Sequence, residues 1–359
     1  MTLSPERTAH PYHMHDAIMG QPQAIARVIS DERDNIRSLA NLVQKSTRVH
    51  IVGIGTSWHA ALIGEDLLRN HAGRHEARAW NSYEFCDRPP PLAEDDIVIV
   101  LSHRGTKTYS ARALELAHRS GAATALLTGI GSDARRDLAN VVVETSEPDP
   151  SSAFTISHTS ALTALAMLAV ALSGEDPAKS LSGLPDAVQG AISTEDAVRD
   201  WAASSTDVQR FYFVGTGTDA STAYEAALKM KEANYTTTEG LHLEQYLHGP
   251  FVSTDEGCLV TFIAPPSDDP DDRVLDIMRA ATEVGARTAA VLQKGDSDRA
   301  NLVDTVLSVP ECPGIYSPIV YLAPLQLFTY WLALELKCNP DVFRLNDPRH
   351  VSARRHYTL

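Results

Sequence analysis

The chain repeats itself. Residues 52–70 (VGIGTSWHAALIGEDLLRN) resemble residues 214–232 (VGTGTDASTAYEAALKMKE), each a short apolar strand, a G-x-G-T turn and an amphipathic helix. Residues 123–144 (ATALLTGIGSDARRDLANVVVE) resemble residues 287–308 (RTAAVLQKGDSDRANLVDTVLS). Both pairs lie about 160 residues apart, so the chain reads as two copies of one domain, too few for a solenoid.

Each copy alternates strand and helix. In the first, RVHIVGI is a strand, residues 57–70 a helix, and IVIVLS at 97–102 the next strand. TYSARALELAHRSG is then a helix closed by Gly121, ATALLT a strand, DARRDLA a helical turn and NVVVE a last strand. The second copy runs FYFVGTG, a helix over 219–232, CLVTFIA, VLDIMRAATEVGA, RTAAVL and TVLSV. Continuous apolar strands separated by helices predict an α/β fold, with a parallel sheet in each copy covered by helices on both faces. Ligands of such sheets bind beyond the carboxyl ends of the strands, where strand order reverses. Helical spacing extends over 14–46, 157–174, 184–203 and 324–336. The expected division is an N-terminal helical segment (1–45), a first domain (46–180), a connecting helix (181–205) and a second domain with a C-terminal tail (206–359).

Composition narrows the function. With 359 residues, 43% hydrophobic and 21% charged, the chain has ordinary globular material for two cores. A net charge of −15 argues against nucleic-acid and anionic-membrane partners, which select for Lys and Arg. A small phosphorylated ligand needs only a few local donors. Cys86, Cys258, Cys312 and Cys338 are far apart and form no C-x-x-C pair, so they read as reduced thiols of a cytoplasmic protein. The N-terminus lacks a signal-peptide core, and the apolar runs near 157–174 and 319–336 suit buried helices better than membrane spans.

Three segments carry candidate chemistry. Gly53-Ile54-Gly55-Thr56-Ser57 joins a strand to a helix; its glycines permit a tight turn, and the hydroxyls of Thr56 and Ser57 add donors at a helix N-terminus. In the second copy Asp219 follows the same turn, where it would repel an anion and is expected to cap the helix. Leu101-Ser102-His103-Arg104-Gly105-Thr106-Lys107-Thr108 ends a neighbouring strand with hydroxyls and cations. Gly55, Thr56, Ser57, Ser102, Arg104, Lys107 and Ser157 are therefore the candidate phosphate-binding set, with Arg104 and Lys107 open to the alternative of solvated surface charges. Glu232 near the end of a helix and His248 before a Gly-Pro break are the residue types that move protons near neutral pH. His10, His13 and His15 lack the ligand spacing of a metal site, so a docked or mobile segment is expected there and no metal.

Taken together, these segments resemble the tandem SIS (sugar isomerase) family, which includes the isomerase half of glucosamine-6-phosphate synthase. The residues 228–250, LKMKEANYTTTEGLHLEQYLHGP, are similar to the family's L-K-x-K-E-x-x-Y…E…HGP, the most specific match. The opening HMHDAIMGQPQAIA at 13–26, the IGTS loop, the C-terminal helix over 317–341 and DPRHVSA at 347–353 match in order. The resemblance implies a homodimer with sugar-phosphate sites shared between subunits. It implies phosphate ligands at Thr56, Ser57 and Ser102, a carbon base at Glu232 and a ring-opening acid/base at His248. It departs in three places. No glutaminase segment precedes the matches, so glutamine-dependent synthesis is not expected. The family's S-x-S-G-x-T loop here has Arg104 for its second Ser and Lys107 in place of its closing Thr, and the tail has no lysine for imine chemistry. The expected activity is deglycation or deamination of an amino-sugar or sugar-amine phosphate with aldose–ketose rearrangement. No cofactor is expected, because a carbonyl or imine already acidifies the neighbouring C–H. Simple sugar-phosphate isomerisation and non-catalytic sugar-phosphate sensing are the alternatives.

Overall fold

The structure is a computed structural model that describes residues 6–267 and 272–357. The chain forms two compact units. One gathers Gly20–Asp149, Phe154–Pro185 and the tail from Phe343; the other gathers the residues up to Met19, Pro150–Ala153 and Asp186–Val342.

The first unit is built on strands β1 (Arg48–Gly53), β2 (Ala77–Asn81), β3 (Asp96–Leu101), β4 (Ala123–Thr128) and β5 (Val141–Glu144). All pair in parallel, in the order β2-β1-β3-β4-β5. Chain order therefore reverses between β1 and β3, and their carboxyl ends open a crevice there. Alternate residues face opposite sides of the sheet. Val52, Val98, Val100 and Leu126 pack with Phe85, Ala113, Leu114 and Ala117 from the helices Ser82–Asp87 and Thr108–Arg119. The opposite face is covered by the helix Thr56–Asp66, whose last turn widens into π-helical Leu67–His71. At Gly64 an added Cβ would lie 3.1 Å from Leu165 and 3.2 Å from Ile51. The helix is thus pressed between β1 and the largely buried helix Ile156–Leu172.

The second unit repeats this plan with β6 (Arg210–Gly215), β7 (Thr238–His242), β8 (Cys258–Ala264), β9 (Arg287–Gln293) and β10 (Thr305–Val309), ordered β10-β9-β8-β6-β7 and again all parallel. Tyr212, Val214 and Phe262 meet Ile277 and Met278 of the helix Arg273–Glu283 on one face. Trp201 stacks on Phe328 at 3.7 Å between ring centroids, joining the helices Glu195–Ala203 and Leu322–Glu335. The α/β expectation holds: two parallel five-strand sheets flanked by helices. Strands β2 and β7 were not expected; ARAWN and TEGLH are short edge segments without an apolar run. The helical reading of 14–46 divides at Gly20 and Glu32 into His13–Met19, Gln21–Asp31 and Arg33–Lys45.

Helical turns join Gly314–Tyr316, Ser317–Val320 and Leu322–Glu335 into one run, Gly314–Glu335, that is long and apolar enough to cross a membrane by length and composition. The sequence reading of 319–336 did not expect a run this long and apolar but favoured a buried helix, and 89% of the run's most apolar window is buried inside the protein. The N-terminal histidines are docked: His10 Nδ1 lies 2.7 Å from the Tyr330 hydroxyl, and His15 Nε2 lies 2.7 Å from Glu195.

Candidate functional site

The crevice between β1 and β3 is a site by construction. Gly53 must be glycine, since a Cβ there would stand 2.2 Å from the backbone oxygen of Ser57. Gly55 holds φ +59° and ψ −130°, a region open only to glycine, and turns the chain into the helix Thr56–Asp66. The turn delivers Thr56 and Ser57 to a small cavity that Ser102, His103, Ser157 and His158 also line. Ser102 is 6% exposed and Ser157 4%. Their hydroxyl oxygens, and Nδ1 of His103, lie buried without a hydrogen-bond partner in the protein. Such groups forfeit hydration and gain nothing unless a ligand or water meets them.

Four of the seven residues expected to bind phosphate thus line one cavity: Thr56, Ser57, Ser102 and Ser157. Gly55 shapes the turn. Arg104 does not line the cavity; its Nη2 donates to the carbonyl of Asp149 at 3.2 Å and its guanidinium lies 4.8 Å from the Phe154 ring centroid. Lys107 occupies the N-cap position of the helix Thr108–Arg119, also away from the cavity lining. His103 escaped the sequence reading although it follows Ser102 directly. Burial, reinforced by the charge of Arg104, lowers its pKa to about 4. The ring is neutral at pH 7. Its Nε2 accepts from the Asp149 N–H at 3.2 Å, so the proton resides on Nδ1.

The second unit shows what the same turn looks like when filled from within. Gly215 would put a Cβ 2.3 Å from the Asp219 backbone oxygen, and Gly217 holds φ +51° and ψ −129°. Ser57 of the first copy is matched in the second by Asp219, 4% exposed, with Ser317 Oγ at 2.6 and 2.7 Å from its two carboxylate oxygens. Asp219 does not cap the helix, as the sequence suggested. Gly217 is the N-cap, and Asp219 is the second residue of the first turn, where the helix dipole favours its charge.

The proton-transfer candidates lie in the second unit. Glu232 is near the end of the helix Thr218–Ala233, its side chain 20% exposed and ion-paired to Lys229. Lys229 is 1% exposed and also 3.4 Å from the fully buried Glu225. Burial alone would lower the Lys229 pKa; the two carboxylates outweigh it and hold the pKa above the ordinary lysine value. The E-x-x-x-K-x-x-E spacing, which places all three on one helix face, was the overlooked signal. His248 follows the helix Leu243–Leu247, just before Gly249 at φ +130°. Its side chain is 77% exposed and stands 3.9 Å from Glu244. Among the described residues, no group of three or more His, Cys, Asp or Glu side chains is arranged to hold a metal ion.

Comparison with known proteins adds a lineage to this geometry. A family model for the SIS domain matches residues 42–171 and again 206–336. The chain is 33% identical to the isomerizing glutamine–fructose-6-phosphate aminotransferase of Thermococcus kodakarensis, across 96% of this chain and 57% of that protein. It is 30% identical to the enzyme of that name from Methanothermobacter thermautotrophicus, across 94% of this chain and 57% of that one. The chain therefore spans a little over half the length of these relatives. The C-terminal domain of glucosamine-fructose-6-phosphate aminotransferase from Francisella tularensis has the same fold, with a TM-score of 0.85 over 93% of this chain and 99% of that domain at 20% identity. With one match on each of its two parallel sheets, the chain belongs to the SIS-domain family.

Proposed function

We propose that the chain is a phosphosugar-processing enzyme, acting on an amino-sugar or sugar-amine phosphate by deglycation or deamination coupled to aldose–ketose rearrangement. One observation carries the ligand class: the buried, unpartnered hydroxyls of Ser102 and Ser157 line the cavity that Thr56 and Ser57 enter at the strand-order reversal. A phosphate oxyanion satisfies several such donors at once. Names of the relatives support the sugar, since fructose 6-phosphate stands in the names of both aminotransferases compared above.

In the proposed mechanism Glu232 carries a proton between C1 and C2, the carbonyl or imine carbon and its neighbour. Lys229 faces it as a buried cation, which favours the carboxylate form that a base requires. His248 protonates the ring oxygen as the ring opens, or the amine as it departs after water has added to the imine carbon and become the carbonyl oxygen; its exposure suits a group supplied to the site of a second copy. Positioned acid/base groups of this kind contribute about 10²–10⁴-fold each.

The test compares a sugar phosphate with its dephosphorylated form by calorimetry, with products followed by mass spectrometry. Phosphate-dependent binding with turnover is expected. Equal affinity for the two forms rules the cavity out as a phosphate site. Binding without turnover removes the catalytic part and leaves a sugar-phosphate sensor.

A further inference from the structure

The two walls of the cavity come from distant parts of the first unit. Ser102 follows β3, and Ser157 stands in the first turn of the helix Ile156–Leu172. Asp149, 2% exposed, ties them together. Its backbone N–H donates to His103 Nε2 at 3.2 Å, and its carbonyl accepts from Arg104 Nη2 at 3.2 Å. Its carboxylate Oδ2 accepts the N–H of Thr155 at 3.0 Å, immediately before the helix that carries Ser157. Phe154 fills the gap, edge-to-face with His103 at 5.5 Å and beneath the Arg104 guanidinium. The His103 ring is pinned on its far side as well. A Cβ at Gly129 would lie 2.8 Å from its Cε1, so only glycine leaves the ring its place.

We propose that His103 and Arg104 are positioning residues that, through Asp149, set the separation of Ser102 and Ser157 and so fix the phosphate-binding geometry. The inference rests on the phosphate reading of the cavity. It gives Arg104 a role other than phosphate ligand: the cation that departs from the family's loop pattern holds the wall instead. It also explains why a histidine serves beside Ser102. Nε2 must accept from the Asp149 N–H, and a neutral imidazole offers that acceptor from a rigid, packed ring. A donor set held in place by packing binds its anion without first having to be ordered.

Inorganic phosphate is the probe, titrated by calorimetry into wild type, His103→Leu, His103→Gln, Ser157→Ala and the double variant His103→Leu/Ser157→Ala, with thermal unfolding of each. His103→Leu keeps apolar bulk and loses the acceptor, so affinity is expected to fall at least tenfold. His103→Gln restores an acceptor and is expected to recover part of the loss. In the Ser157→Ala background, where the positioned hydroxyl is gone, His103→Leu is expected to cost less than threefold. A merely structural role would not show this coupling. If His103→Leu does not fold, Asp149→Ala, which keeps the N–H to His103 and severs the Thr155 end, is expected to show the same tenfold loss. Unchanged affinity in His103→Leu, or an equal loss with and without Ser157, overturns the proposal while leaving the cavity as the phosphate site. No phosphate binding by the wild type overturns both.

Discussion

At the scale of single residues, the cavity places several polar groups where the protein cannot satisfy them. Each buried, unmatched donor costs about 1–3 kcal/mol. Ser102, Ser157 and His103 carry such atoms around one cavity. His103 adds a pH dependence whose sign is fixed by its environment. Its pKa is about 4 in the folded protein and near 6.5 in the unfolded chain. Unfolding at pH 5 therefore takes up a proton that the folded state refuses. The contribution is fully present above pH 6.5 and is lost as pH falls through 4. Between pH 7.5 and pH 5, the wild type should lose about 2 kcal/mol of unfolding free energy through this group. His103→Gln cannot titrate, so urea unfolding at the two pH values should show its loss smaller by about that amount. Equal losses in the two proteins would mean that another group sets the acid limb.

At the scale of elements, the strand–turn–helix unit is the repeated device, and its first glycine is the point of closest approach. Gly53 and Gly215 each face a backbone oxygen that an added Cβ would strike at 2.2 and 2.3 Å. Backbone cannot swing aside as a flexible side chain can. Gly53→Ala should therefore cost about 1–3 kcal/mol, as overpacking does. It should also weaken phosphate binding, because the helix carrying Thr56 and Ser57 must move. Gly314→Ala is the control: its Cβ would meet nothing within 4 Å. Denaturant unfolding of both variants checks the contrast, and a Gly53→Ala protein as stable as Gly314→Ala removes the close approach as a constraint. These turns were legible in the sequence because glycine spacing and the apolar strand before it are local signals. So were the buried strands VHIVG and LVTFIA. Asp219, Arg104 and His103 were harder to read. Their roles depend on Ser317, Asp149 and Phe154, which lie 45 or more residues away along the chain. Nothing in the local pattern says whether a cation at position 104 points to a ligand or to a carbonyl. The short strands β2 and β7 were missed for a related reason: at a sheet edge, pairing with β1 or β6 does what an apolar run would otherwise signal.

At the scale of the whole molecule, we propose that the site is shared between two copies of the chain. Glu232 is ion-paired on a helix face, whereas His248 stands 77% exposed on a short turn before Gly249. Val252, four residues on, is 90% exposed, an apolar side chain that a second subunit would cover. A closed homodimer with shared sites would use His248 of one copy beside the cavity of the other. Each single variant, Glu232→Gln or His248→Ala, should then fold and bind phosphate, yet turn over slower by orders of magnitude. Mixed after subunit exchange, the two should regain activity. In a mixed dimer one site receives both altered groups and the other receives Glu232 and His248 intact. Random assortment makes half the dimers mixed, so recovery should approach about a quarter of the wild-type rate. Sedimentation at micromolar concentration tests the dimer itself, and an active monomer would defeat the shared site. No recovery despite demonstrated exchange would instead place Glu232 and His248 of one chain in one site, and normal turnover in both single variants would remove the pair from the chemistry.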